Sequence, residues 1–150
     1  MPLRRLMTAT AVALLFAARA FAADASSPAG VWKTIDDKTG HAKSIVEITE
    51  QNGELTGTVK EVLESEQGPH PVCKECEGDR KDKPVVGMQI IWGMKKDGDG
   101  WSGGHILDPK NGKIYGCKMH LTDNGQKLDV RGFIGFSLLG RTQTWERQAE

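Results

Sequence analysis

The residues best suited to chemistry in this sequence are its three cysteines, Cys73, Cys76 and Cys117. Cys73 and Cys76 form a Cys-x-x-Cys motif, a spacing found in half of a zinc site, in thiol–disulfide redox centres and in small disulfide-closed loops. Cys117 is followed three residues later by His120, so the four side chains together have the composition of a Cys₃His zinc site. The segments that carry these residues decide among the possible roles.

The stretch around Cys117 argues against zinc. "KIYGCKMHL" alternates apolar and polar residues as a β-strand does, which places Cys117 and His120 on opposite faces. Thiol redox chemistry also lacks its usual setting, because a reactive thiol typically lies at a helix N-terminus and "EGDRKDKP" after Cys76 has no helical periodicity. Less favoured alternatives are therefore thiol redox activity of the cysteines, and zinc binding by Cys73, Cys76, Cys117 and His120.

A structural disulfide is the favoured role of the cysteines. We predict a Cys73–Cys76 bridge with Cys117 free, because the apolar strand neighbours of Cys117 indicate that it faces the interior. A bridge from Cys117 to Cys76 or to Cys73 remains the alternative. The chain-entropy model gives roughly 4 kcal/mol for such a long bridge and roughly 2 kcal/mol for the short one.

The N-terminal residues are typical of a secretory signal peptide. Arg4 and Arg5 precede an apolar run, and small residues end at Ala22, where we expect cleavage and hence a periplasmic or secreted protein. In such an oxidising compartment a disulfide is expected. Residues 1–22 hold three of the 20 basic groups and none of the 20 acidic ones, so the remaining chain is slightly acidic. That charge predicts no nucleic-acid partner, and no other apolar run is long enough to span a membrane.

Turn-forming residues divide the rest of the chain into segments that alternate like β-strands. Most connections are short, so we predict one domain over residues 30–148, an eight-stranded antiparallel up-and-down β-barrel, after a flexible lead-in at 23–29. A two-sheet β-sandwich is the alternative. The longest connection, 64–84, holds the Cys-x-x-Cys motif. The predicted strands are Val31–Ile35, Lys43–Glu50, Leu55–Leu63, Val85–Lys95, Trp101–Asp108, Lys113–Leu121, Lys127–Ile134 and Gly140–Arg147.

Two stretches of sequence resemble the ends of a lipocalin-like barrel. "GVWKT" places Gly30 and Trp32 at the start of the first strand, and "GRTQTWER" places Arg141 and Arg147 on the last strand. In lipocalin-like barrels a tryptophan at this position lies at the closed end, and an arginine from the last strand packs across its ring. The resemblance therefore gives the indole role to Trp32 and the covering role to Arg141 or Arg147.

The same stretches extend to a longer resemblance. Together with "C-x-x-C-x-GDRKDKPVVGMQIIWGM" and "GGHILDPKNGKIYGCKM" they are similar to the domain of unknown function 2147 family, secreted bacterial proteins with a lipocalin-like fold. The resemblance covers nearly the whole chain from 30 to 147. It implies a fold and an exported location, and it implies no activity.

Apolar strand residues could line a ligand pocket. On the fourth strand we expect Val86, Met88, Ile90, Trp92 and Met94 to share the inward face. Filling of the barrel by its own side chains is the competing interpretation. Arg131 is expected to face outward, but if it faced the cavity it would anchor a ligand carboxylate. The pocket candidates are Met88, Ile90, Trp92, Tyr115, Met119, Phe133 and Arg131.

No sequence motif for serine hydrolysis, zinc proteolysis or phosphate binding is present. We therefore predict non-catalytic binding of a small apolar ligand in the periplasm and expect no cofactor. The alternative is a structural or interaction protein of the cell envelope with a filled barrel. A protein partner is not predicted by any motif, and fold alone does not determine function.

Overall fold

The computed structural model describes residues 24–136 and 139–149; the predicted signal peptide lies outside them. Eight antiparallel strands follow one another in sequence order around a closed barrel, which confirms the predicted barrel and excludes the sandwich. No helix within the described residues is long and apolar enough to cross a membrane. The strands are β1 Gly30–Ile35, β2 Ala42–Gln51, β3 Glu54–Val62, β4 Gln89–Asp97, β5 Gly100–Asp108, β6 Lys113–Thr122, β7 Lys127–Phe133 and β8 Gly140–Arg147.

The strand order gives the barrel two different ends. Each strand pairs with the next, and β1 closes the barrel by pairing with β8 at Trp32↔Arg147 and Lys33↔Glu146. Tight turns join β2–β3, β4–β5 and β6–β7 at one end, which we call the closed end. The connections β1–β2, β3–β4, β5–β6 and β7–β8 lie at the other end, which we call the open end.

The closed end is filled by aromatic side chains and sealed by an arginine. Trp32 is fully buried, and its indole N–H donates a hydrogen bond of 2.8 Å to the carbonyl of Pro28. The guanidinium of Arg147 lies 4.4 Å from the Trp32 ring centre. It donates to the carbonyl oxygens of Ser27, Ala29 and Gly125 at 2.8, 3.0 and 2.8 Å. Burial lowers the pKa of Arg147. The end of the predicted flexible lead-in is thus fixed against the barrel.

The half of the barrel nearer the closed end is filled by inward-facing side chains. Its inward residues repeat every second position along the strands, as the pleat requires. Trp101 and Trp145 belong to the same buried cluster as Trp32, and the other members in this half are aliphatic or contain sulfur. They are Val46, Ile48, Leu55, Met94, Met119, Leu128 and Val130.

Irregular pairing of β3 with β4 changes which β4 residues face inward. Ile91 pairs with Gly57 and Met94 with Leu55, so β4 has one residue more than β3 in this interval. Gly93 has φ +71°, the left-handed conformation that such a bulge often uses. Ile91 and Met94 are both fully buried although they are three positions apart. The predicted inward face of β4 is therefore correct at Met94 and wrong at Trp92, because the bulge changes the alternation between them.

The long β3–β4 connection packs outside the barrel wall. Its two arms meet at the Val72↔Pro84 bridge. They are also joined by hydrogen bonds of 2.9 Å from the Cys73 amide to the Lys83 carbonyl and from the Asp82 amide to the Cys73 carbonyl. The guanidinium of Arg80 lies 4.8 Å from the ring centre of Trp92, which points away from the barrel interior. The connection is therefore held against the outer surface of β4.

Candidate ligand-binding site

The inward-facing side chains are less completely buried towards the open end. Val62 pairs with Ser44 on β2, and Ile106 pairs with Ile91 on β4, so both lie in the inward register. Tyr115 also faces inward, since it pairs with Ile106. Val62 and Ile106 pack against the core, and all three side chains remain partly accessible. Most inward residues nearer the closed end are buried, with the half-buried Leu121 as an exception. Most of the side chains accessible on the inward face therefore lie at the open end.

Gly132 leaves space between these side chains. It follows Val130 on the inward face of β7, and a Cβ atom at this glycine would lie 3.5 Å from Ile106 Cγ2 and 3.5 Å from Tyr115 Cβ. Those are ordinary van der Waals distances, and the φ of Gly132 is not in the left-handed region. A side chain would fit here, and its absence widens the open end.

Polar groups face the same space at two depths. The hydroxyl oxygens of Thr34 and Ser44 lie 2.8 Å apart, and Thr34 is buried. Gln143 lies two residues before the buried Trp145 on β8 and therefore on the same inward face. Its amide oxygen accepts a hydrogen bond of 3.0 Å from the Trp145 indole. These groups could bind a polar atom of a ligand whose remainder contacts Val62.

An ion pair lies at the rim of the open end. Arg141 Nε donates to Asp37 Oδ2 at 3.0 Å, and a second nitrogen of the guanidinium contacts Asp37 Oδ1, so the pair is bidentate. The hydrogen bond from Arg141 lowers the pKa of Asp37, and the same bond raises the pKa of Arg141. The pair joins β8 to the β1–β2 connection and fixes one side of the rim.

The remaining thiol does not make the site a catalytic one. Cys117 is the free cysteine, it is fully buried, and burial raises its pKa to about 12. A thiol with that pKa is neutral at physiological pH and has little of the reactive thiolate form. Cys117 therefore acts as a small apolar residue of the barrel interior.

Comparison with known proteins assigns the fold. The family described as "Uncharacterized protein conserved in bacteria (DUF2147)" matches residues 30–147. The chain belongs to this family. A solved lipocalin-family protein, HP1028 from Helicobacter pylori, is similar with a TM-score of 0.71 and 19% identity, over 83% of this chain and 84% of that one. At that identity the likeness shows the fold. No curated protein matches this DUF2147 chain in sequence.

Three pocket candidates lie on the outer surface of the DUF2147 barrel. An inward placement is wrong for Trp92 and Phe133, whereas Arg131 faces outward, as expected. Trp92 stacks on the outward-facing His105 at 5.7 Å between ring centres. Arg131, between the inward-facing Val130 and Gly132, donates to the Thr142 hydroxyl at 3.1 Å. Phe133 covers the outer face of β6, because a Cβ at Gly116 would lie 2.6 Å from its ring. The bulge in β4 explains the error at Trp92, and strict alternation on β7 places the other two outside.

The other four candidates are distributed at different depths. Met119 is buried in the filled half beside Trp101, and Tyr115 lies at the open end. Met88 is buried before β4 begins, where its carbonyl accepts a hydrogen bond of 3.0 Å from the Val59 amide. Ile90 is buried at the irregular start of β4. The structure therefore brings only Tyr115 of this set to the accessible part of the barrel.

The cysteines of the DUF2147 chain have structural roles. A Cys73–Cys76 disulfide is present, as predicted. His120 faces outward and lies 3.4 Å from Asp129. The Cys₃His zinc set is therefore not assembled, and the described part of the chain contains no group of three or more potential ligands placed to hold a metal. The disulfide packs on the β5–β6 turn, where the Cys73 sulfur lies 3.3 Å from the Pro109 carbonyl oxygen.

Sequence reasoning missed most of the residues at the open end. Val62, Ile106 and Gly132 carry no unusual signal, because their importance depends on their depth along the barrel axis. One usable signal was present in β8: its inward face combines three polar residues with one tryptophan. The members of that face are Arg141, Gln143, Trp145 and Arg147.

Proposed function

We propose that this DUF2147 protein is an exported, non-catalytic binding protein that takes a small, largely apolar ligand into the open end of its barrel. The observation that supports this most directly is the contrast between the two halves of the barrel. Tryptophans and aliphatic residues fill the closed half, whereas Val62, Ile106 and Tyr115 face inward and stay partly accessible. Accessible apolar side chains on a concave surface are typical of ligand sites.

The polar groups restrict the kind of ligand that fits. Thr34 and Ser44 offer hydroxyl groups that both donate and accept hydrogen bonds, and Gln143 adds an amide. None of these side chains carries a charge. The ligand we propose has an apolar body and one uncharged hydrogen-bonding group that enters first.

Export is part of the proposal. The first 22 residues have the layout of a cleaved signal peptide, and the Cys73–Cys76 disulfide is chemistry expected of an oxidising compartment. Mass spectrometry of the protein secreted or released from the periplasm should show loss of residues near 1–22. An intact N-terminus would contradict this part of the proposal.

Gly132 provides a matched pair of variants for the ligand site. Gly132→Leu would extend a side chain into the space between Ile106 and Tyr115, whereas Gly132→Ala adds one methyl group at an ordinary contact distance. We expect Gly132→Leu to weaken binding of the neutral probe N-phenyl-1-naphthylamine at least tenfold, and Gly132→Ala to change it by less than about threefold. Fluorescence titration measures both values, and circular dichroism checks that each variant is folded.

Two results would contradict the proposed site. One is a wild-type protein that does not bind the probe and carries no co-purifying small molecule in native mass spectrometry. The other is a folded Gly132→Leu variant that binds the probe as well as the wild type does. Either result would favour an envelope protein with a filled barrel.

A further inference from the structure

Three large apolar side chains are exposed together at the open end. Ile134, Phe136 and Leu139 have exposed fractions of 61%, 79% and 69%, and we call them the apolar tip. The Ile134 amide donates to the Leu139 carbonyl at 3.2 Å, and the Leu139 amide donates to the Phe136 carbonyl at 3.0 Å. These hydrogen bonds hold Ile134, Phe136 and Leu139 near one another at one corner of the open end. Clustered exposed apolar groups of this kind mark interaction surfaces.

The outer wall next to the tip is also apolar. Phe133 lies on the outer face of β7 across from Gly116, and Ile114 at the start of β6 is 49% exposed. The apolar surface therefore extends from the turn down the first part of the wall.

A basic band lies directly below this apolar surface. Lys118 pairs with Arg131 on the outer face, two positions further from the open end than Gly116 and Phe133. Two residues of a strand span about 7 Å. The next outward pair is His120 with Asp129, whose carboxylate lies 3.4 Å from the histidine. The charged residues nearest to the tip on the outer faces of β6 and β7 are thus both cations.

We propose that the apolar tip docks on an anionic lipid surface, with Lys118 and Arg131 at the level of the lipid phosphates. Elements bound at a membrane interface bury their apolar groups about 5–10 Å deep. The basic band lies about 7 Å behind the apolar Gly116–Phe133 pair, within that range of depth. The sign of the band matches anionic headgroups. This docking turns the open end of the barrel towards the lipid. It is independent of the proposed function, because it rests on the exposed tip and on the outer faces of β6 and β7.

The order of the residues favours lipid over a protein partner. A protein groove would surround an apolar anchor with polar contacts on several sides, whereas here the apolar residues are outermost and the cations follow on the wall behind them. A surface whose outermost residues are apolar and whose next residues are cationic fits the apolar interior and the charged headgroups of a bilayer.

Vesicle flotation with matched variants tests the proposal. Full-length mature protein should float with vesicles of phosphatidylglycerol and phosphatidylcholine, and less with phosphatidylcholine alone. Phe136→Ser should weaken binding about tenfold or more, as expected for removal of a buried aromatic side chain. Lys118→Glu should weaken binding about fivefold or more on the anionic vesicles only, since each cation near such a surface strengthens binding by about that factor. Val86→Ser is the control, because Val86 is 46% exposed on the β3–β4 connection beside β3, outside the apolar tip and the β6–β7 wall, and should leave flotation unchanged.

A fluorescence measurement tests the depth directly. Phe136→Trp should be quenched by brominated lipid in the anionic vesicles, well beyond any quenching of the native tryptophans in the wild type. Lack of flotation by the wild type, equal losses in Phe136→Ser and Val86→Ser, or no additional quenching would each overturn the proposal. Concentration-dependent self-association without vesicles that Phe136→Ser abolishes would assign the tip to a second copy of the chain and also overturn it.

Discussion

Replacing Arg147 should destabilise the barrel far more than replacing Arg141. Arg147 donates three hydrogen bonds to carbonyl oxygens and stacks on the buried Trp32 ring, in a partly buried position. Each hydrogen bond contributes about 1 kcal/mol net, and the cation–π contact adds about 0.5–1 kcal/mol. We therefore expect Arg147→Ala to lower the free energy of unfolding by about 3–4 kcal/mol.

Arg141 is the matched control for this change. It forms an ion pair with Asp37 in which the Arg141 side chain is 51% exposed, and such pairs contribute about 0–1 kcal/mol. Urea unfolding followed by circular dichroism measures both variants. With a slope of roughly 2 kcal/mol per M, the midpoint should fall by roughly 1.5–2 M for Arg147→Ala and by less than about 0.5 M for Arg141→Ala.

Two outcomes would refute this reasoning. One is a loss below about 1 kcal/mol for Arg147→Ala, which would mean that water replaces all three hydrogen bonds without cost. The other is an equal loss in both variants, which would remove the distinction between the closed end and the rim. Arg147→Lys keeps the charge but not the forked donor geometry, so it should recover only a small part of the loss.

Three further predictions concern the disulfide, the free thiol and the rim. Gly112→Ala should expose the Cys-x-x-Cys disulfide to mild reductants, because a Cβ at this residue with φ +70° would lie 2.0 Å from the Glu75 carbonyl oxygen. Thiol labelling after reductant treatment measures the rate of reduction, and a rate equal to that of the wild type would contradict the prediction. Cys117 should resist labelling at pH 8 in the folded protein and supply a single reactive thiol after unfolding without reductant; three reactive thiols would disprove the disulfide. The pKa of Asp37 is lower when folded, so its pair with Arg141 stabilises the protein above the unfolded pKa of about 4 and loses this effect as pH falls through the folded pKa. The stability difference between wild type and Asp37→Asn should therefore shrink in acid, and a difference that grows as pH falls would contradict the assignment.

The barrel could be predicted because local signals agree with the fold. Turns such as Asn52–Gly53 adopt positive φ values of 54° and 77°, as their residue types indicate, and the strands between turns alternate regularly. The same alternation gave the inward placement of Met119. The free state of Cys117 followed from its apolar neighbours on β6.

The details of the site required three-dimensional register. The bulge at Gly93 moves Trp92 to the outside, and a single glycine in a strand does not identify a bulge without the pairing of β3. The choice between Arg141 and Arg147 depends on which of them reaches Trp32 across the closing strand pair. Partial exposure of Ile106 depends on distance from the closed end, which the sequence of one strand does not contain.

Methyl NMR spectroscopy with N-phenyl-1-naphthylamine tests the central claim most directly. If the ligand enters the open end, the methyl signals of Val62 and Ile106 should shift on titration, while those of Ile48 and Leu55 in the filled half stay unchanged. Shifts confined to outward residues such as Ile114, or no shift at all, would contradict ligand binding inside the barrel.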